Sequence, residues 1–153
     1  MVIITGGTKY QDVLEKIASV RKGVKAGILA GATTTDGQSI AEYAMYNEMG
    51  TRNIPTRPFM RQTASDKQQE WLSILSAKLN WQSIEKNNAE DALGLTGEMM
   101  KAHIQQTIQK GDFTPNAENT INAKTRKGKV EPDHPLIDTG QMLAAISYEV
   151  IDI

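Results

Sequence analysis

The stretch Asn47–Arg61, NEMGTRNIPTRPFMR, constrains this chain more than any other. Proline fixes φ, lacks a backbone N–H and pushes the residue before it out of the helical region. Pro55 and Pro58 therefore forbid one helix running through. Asn53-Ile54-Pro55 and Arg57-Pro58 hold an extended path, and Gly50 supplies a sharp exit from the helix before it. The result is a stiff connector that carries Arg52, Arg57 and Arg61 against one carboxylate, Glu48, with Phe59 and Met60 as apolar anchors at its end. Arginine suits planar contacts with carboxylates and carbonyls. Two readings stay open: a loop stapled inside the domain by its arginines, or a subunit or partner interface whose stiffness lowers the ordering cost of binding.

Helical patterns flank the connector. Ser39-Ile-Ala-Glu42 has capping-box spacing and starts a helix that ends near Met49, with Ile40, Tyr43, Ala44 and Asn47 on one face. After it, a long helical region runs to about Lys86. Pro58 fits its first turn, and Trp71, Leu72, Leu75 and Leu79 form its apolar stripe, extended by Trp81. Asn87-Asn88 breaks the pattern, and Ala89–Lys110 forms the next helix, burying Leu93, Met99, Met100, Ile104 and Ile108. Gly94 and Gly97 there imply either a frayed start or a close helix–helix approach.

Alternation predicts strands at Val2–Thr5, Val24–Ala30 and Ile146–Ile153. A capping box at Thr8–Gln11 opens a helix with Tyr10, Val13, Leu14, Ile17 and Val20 on its apolar side. Residues 112–135 read as a mobile polar loop, interrupted by a short helix around Ala117–Thr125. The expected class is α+β: a small, mostly antiparallel sheet packed on several helices, one or two of them long, with 1–153 as a single domain.

Chemistry is harder to find. The chain has 153 residues, no cysteine and a net charge of -1, which removes thiolate chemistry and leaves no global field for nucleic acid or an anionic membrane. MVIITGG is too short an apolar run for a secretory leader, and no window reaches the length of a membrane span. His103 and His134 have no partner at metal-ligand spacing, and no GxSxG elbow or Walker spacing is present. Gly6-Gly7-Thr8 reads as a turn with a cap, and Glu90-Asp91 or Asp36 with Glu42 as ordinary surface carboxylates. No catalytic residue, cofactor or metal is expected. The basic run Lys124, Arg126, Lys127 and Lys129 lacks interleaved aromatics. It reads as a solvated loop, with contacts to phosphate or an acidic partner as the alternative.

IAEYAMYNEMGTRNIPTRPFMR resembles the signature of a phage tail-completion and virion-morphogenesis family. Asn47-Glu48-Met49-Gly50-Thr51 stands where that family has a similar step with an aromatic before the glycine. Ile54-Pro55-Thr56-Arg57-Pro58-Phe59-Met60-Arg61 follows it. Pro135-Leu136-Ile137-Asp138-Thr139-Gly140-Gln141-Met142 is similar to the family's block before its last strand. The resemblance implies a non-enzymatic protein of the tail or neck of a tailed bacteriophage or prophage, located in the virion and assembled in the host cytoplasm. Its implied partners are copies of itself in a ring, six being favoured, and other tail and neck proteins. DNA would meet it only in passing through a channel, and no membrane is involved. The expected interface residues are Glu48, Gly50, Thr51, Arg52, Ile54, Pro55, Arg57, Pro58, Phe59 and Arg61 on one side. Asp138, Thr139, Gly140 and Gln141 are expected on the other. A nucleic-acid-binding module using the basic run is the alternative.

Overall fold

Pairing between two segments far apart in the chain closes the fold. In a computed structural model that describes residues 21–79 and 89–153, strand β1 (Lys22–Ile28) runs antiparallel to β2 (Ile146–Asp152). The register runs from Lys22 opposite Asp152 to Ile28 opposite Ile146. Between them come helices α1 (Ile40–Met49), α2 (Phe59–Lys78), α3 (Ala89–Lys110), α4 (Glu118–Arg126) and the single turn α5 (Gln141–Ala144). The described residues are thus α+β: a two-stranded antiparallel sheet packed against five helices.

A two-stranded ribbon is marginal by itself. Here α3 supports it, lying against both strands and against α2. The stripe on α3 that does this is Ala89, Ala92, Leu93, Thr96, Gly97, His103, Ile104 and Ile108, all buried at helical spacing. Small residues fill its first half, so the helix comes close to the sheet. At Gly97 a Cβ would stand 2.2 Å from Cδ2 of Tyr148. Gly97 therefore marks a close approach, made with a strand rather than with another helix. Gly94 has open space around it. The main core draws on five elements and one turn: Ile40 and Ala44 of α1, Phe59 of α2, Ile104 and Ile108 of α3, Leu136, Met142 of α5 and Ile146 of β2.

Several boundaries differ from expectation. The first strand covers Lys22–Ile28 rather than Val24–Ala30, because a turn begins at Ala30-Gly31. The long helix closes at Lys78, where the Leu79 N–H bonds back to the Leu75 carbonyl. Leu72, assigned to its apolar stripe, is exposed; the buried line of α2 is Phe59, Thr63 and Trp71. The expected strand Val2–Thr5, the Thr8–Gln11 capping box with its helix, Trp81 and the Asn87-Asn88 break lie outside the described residues.

The two glycines of α3 give a paired test. Gly97→Ala forces the Tyr148 ring or the helix to shift and lowers stability by about 1–3 kcal/mol. Gly94→Ala meets nothing and raises it by up to about 1 kcal/mol. Denaturant midpoints of the two variants, with unchanged slopes, check both signs.

Candidate functional site

The connector folds inward on its charges. Glu48, in the last turn of α1, reaches the start of α2, which has no side-chain cap of its own at Pro58. Its carboxylate accepts the backbone N–H groups of Met60 (2.9 Å) and Arg61 (3.0 Å). An anion at a helix N-terminus faces the positive end of the dipole and satisfies orphan donors. Arg61 closes the bracket, donating from Nε to the same carboxylate at 3.0 Å and from Nη2 to the Glu48 carbonyl at 2.7 Å. One residue therefore sets the angle between α1 and α2.

Arg57 lies deeper, with 5% of its surface exposed. Its guanidinium donates to Asn47 Oδ1 (3.0 Å), the Thr114 carbonyl (2.8 Å) and the Pro115 carbonyl (3.0 Å). Its backbone N–H donates to the Asn47 carbonyl at 2.7 Å. Burial pulls the guanidinium below the usual arginine range. Phe59 is fully buried. Arg57 and Phe59, expected among the interface residues, are thus inside the fold, where a neighbouring copy cannot reach them.

The connector's apex faces out. Thr51 N–H donates to the Ile54 carbonyl at 2.8 Å, and Thr51 Oγ1 accepts from the N–H groups of Asn53 (3.2 Å) and Ile54 (3.0 Å). Thr56 Oγ1 donates to the Met49 carbonyl at 3.2 Å. Gly50, at φ 77°, leaves room for this; a Cβ there would fall 2.5 Å from Thr56 Oγ1. Arg52 sits exposed on this locked turn, and no hydrogen bond or ion pair holds its guanidinium among the described residues. Pro55 is exposed beside it, while Ile54 and Pro58 are half-buried.

The second motif is a turn under tension. Leu136 is buried yet adopts φ 65°, a left-handed conformation unusual for a non-glycine residue. The Lys124 ammonium spans the bend, donating to the carbonyls of His134 (2.9 Å) and Ile137 (2.6 Å). Asn116 Nδ2 adds a bond to the His134 carbonyl at 2.9 Å. Lys124 is therefore a buried clip, 7% exposed, and not part of a solvated basic run. Its place on α4 turns it inward, which sequence spacing alone did not reveal. Lys129 lies 4.0 Å from Asp138, leaving Arg126 and Lys127 as the exposed remainder of the run. Segment 112–135, expected as a mobile loop, is tied to the body through Thr114, Pro115, Asn116 and Lys124.

Asp138, Thr139, Gly140 and Gln141 lie on the outer side of this turn. They face the Thr34–Gln38 turn across a cleft of about 300 Å³. Gln141 Nε2 links the two walls by donating to Thr35 Oγ1 at 3.3 Å. A hydrogen bond from the Thr34 side chain, then one from its own backbone, holds the Asp36 carboxyl below its usual range. Ile40, Tyr43, Leu136 and Met142 supply apolar lining.

The outer side of α1 departs from the amphipathic pattern expected of a surface helix. Tyr43, Met45, Tyr46 and Met49 of α1 are 47%, 54%, 38% and 62% exposed, so the outer side of the helix is largely apolar, interrupted by Glu42, which accepts from the Tyr46 hydroxyl. Tyr43, assigned to the buried face, stands half out of it. The signal was present in YAMYNEM, which has too few polar residues to supply a solvent face. Met45 and Met49, with Ile28 and Met60, also line a shallow apolar depression of about 220 Å³.

The histidines have structural surroundings. His103 is buried against Trp71, whose indole N–H donates to Nδ1 at 2.9 Å, with the two rings stacked. His134 lies with its ring nitrogens against the carbonyls of Gln109 and Pro135. Among the described residues no three histidine, aspartate or glutamate side chains are grouped to hold a metal, and no helix is long and apolar enough to cross a membrane. No family model, curated protein or solved structure matches the chain.

Removing Arg57 strands three acceptors. Arg57→Met is expected to lower stability by about 3 kcal/mol or more, and Arg57→Lys to recover little, because an ammonium cannot fork to acceptors on two segments. Chemical denaturation of the three proteins decides it. Lys124→Met is expected to cost about 1–3 kcal/mol. Burial, opposed by Asp138, pulls the Lys124 ammonium below its usual 10.5. The folded chain therefore binds this proton less tightly than the unfolded chain. Wild-type stability gains as pH rises through the folded value toward 10.5, and the gap to Lys124→Met widens over that window. Unfolding curves collected from neutral pH upward read that gap.

Proposed function

We propose that this chain is a non-enzymatic structural subunit that acts by self-assembly, of the kind found in the tail or neck of a tailed bacteriophage. The observation that carries the reading is the outward side of α1. Four large apolar or aromatic side chains exposed on one helix of a small domain, broken only by Glu42, favour an interaction site there. Methionine on such a surface adapts to the shape of a neighbour. The patch lies within Ile40–Arg61, the first of the two segments that resemble the tail-completion signature, which supports an interface role for that segment. Assembly in a ring around the channel, with other tail and neck proteins as further contacts, follows from that resemblance.

The nucleic-acid reading has less support, since Lys124 is buried and Lys129 lies near Asp138, leaving two exposed cations in the run.

Light scattering and native mass spectrometry over a concentration series test the proposal. The wild type is expected to form a discrete closed oligomer, with six copies favoured. Tyr46→Lys with Met49→Lys is expected to remain monomeric with an unchanged circular dichroism spectrum and melting midpoint. A wild type that stays monomeric throughout, or a double variant that assembles as well as the wild type, overturns it.

A further inference from the structure

The cleft between Thr34–Gln38 and Asp138–Gln141 and the Arg52 turn are complementary, yet they lie at opposite ends of α1. The cleft borders Ile40 and Tyr43 in the first turn, and Arg52 follows the last residue, Met49. A helix of 10 residues separates them by about 15 Å. They cannot meet within one molecule. We propose that the cleft is the receptor for the Arg52 turn of a second copy of this chain, so that copies add head to tail. The inference rests on the self-assembly reading above and names the two patches that it requires.

The chemistry matches on each side. Asp36 and Asp138 put two carboxylates on opposing walls of the cleft, Asp138 with the Lys129 ammonium 4.0 Å away, and Thr34, Thr35 and Thr139 add hydroxyls to the lining, that of Thr35 already accepting from Gln141. A guanidinium, planar and with five donors, fits a cleft lined by such acceptors better than an ammonium does. Arg52 is the matching half: exposed, free of partners among the described residues, and mounted on a turn already closed by Thr51, Ile54 and Thr56. The turn is ordered before it binds, so docking immobilises one side chain instead of a loop. Tyr43 joins the two features. It lines the cleft and begins the exposed apolar side of α1, so a seated turn is continuous with cover for that side. Because one patch meets a different patch, each added copy presents a fresh cleft, and closure gives a ring.

Charge exchange tests the pairing. Arg52→Glu is expected to weaken self-association by about tenfold or more without changing the circular dichroism spectrum, as is Asp36→Arg with Asp138→Arg. The three changes in one chain are expected to restore assembly. Neither the tip variant nor the cleft variant is expected to assemble alone, and mixing them is expected to restore growth in strict alternation, since both mixed junctions pair opposite charges while both like junctions repel. A second arm does not depend on association strength. The chain has no cysteine, so with Arg52→Cys and Thr35→Cys in separate chains of different mass, mixed and oxidised, the mixed-mass dimer in excess over the two same-mass dimers reports this contact. A crosslinked dimer is expected. If the wild type assembles while Arg52→Glu assembles equally well and the cysteine pair gives no crosslink, this junction is wrong and the assembly reading stands. If the wild type does not assemble, both fall.

Discussion

The Arg57 guanidinium is the point on which the fold turns. Taking it out of water is costly unless its donors are met, and here they are met by three oxygens from two separate parts of the chain. Asn47 belongs to α1, while Thr114 and Pro115 open the long segment after α3. One side chain thereby fixes where α1 ends, where the connector runs and where residues 112–117 rest. Prolines on either side make this possible. Pro55 and Pro58 remove most of the freedom that a buried arginine would otherwise have to overcome, so little entropy remains to set against its hydrogen bonds. Glu48 completes the arrangement by capping α2 with a carboxylate borrowed from α1. Two ionic groups, neither of them on the surface in the ordinary sense, hold two helices at one angle.

This division of labour explains the composition of the connector. Its three arginines do three different things. Arg57 is structural and buried, Arg61 braces Glu48 at the rim, and Arg52 is left over. A residue with no partner among the described residues of a tightly bonded segment is the one available for work outside it. The same division holds in the second motif. Lys124 and Leu136 shape the turn from within, and Asp138, Thr139 and Gln141 show their polar groups to the cleft.

Much of this architecture was legible in the sequence because it depends on local rules. Ser39 caps α1, accepting the Glu42 N–H at 3.3 Å, and Gly50 ends it. The short helix before Lys127 and the terminal strand are where periodicity puts them. The misplacements are non-local. No spacing rule tells whether Arg57 turns inward, because two of its three acceptors lie 57 and 58 residues away in sequence. Lys124 reads as one more cation in a basic run until the strained carbonyls beside Leu136 are known to face it. Leu72 and Tyr43 fit apolar stripes by number, yet α3 and the core take up their neighbours Trp71 and Ala44 instead. Gly97 announced a close approach, but not that its partner is the ring of Tyr148. The cleft was half visible: Asp138–Gln141 stood out as a motif, whereas Thr34–Gln38 read as an ordinary turn. Only the β1–β2 ladder, which joins the two ends of the described chain, brings them face to face.

The net charge bears on what such a surface does. At -1 the molecule has little long-range repulsion to keep copies apart, so association is decided by short-range contacts. An exposed apolar helix on a nearly neutral molecule invites unlimited aggregation unless geometry limits which copies touch and how. Tyrosine and methionine alone supply adhesion with little direction. The proposed pairing of a rigid arginine turn with a two-carboxylate cleft would supply direction with modest adhesion. In the proposed junction the two features stand at the two ends of the same helix, so that the charged ends would set the register and the apolar side between them would be covered once the register is right.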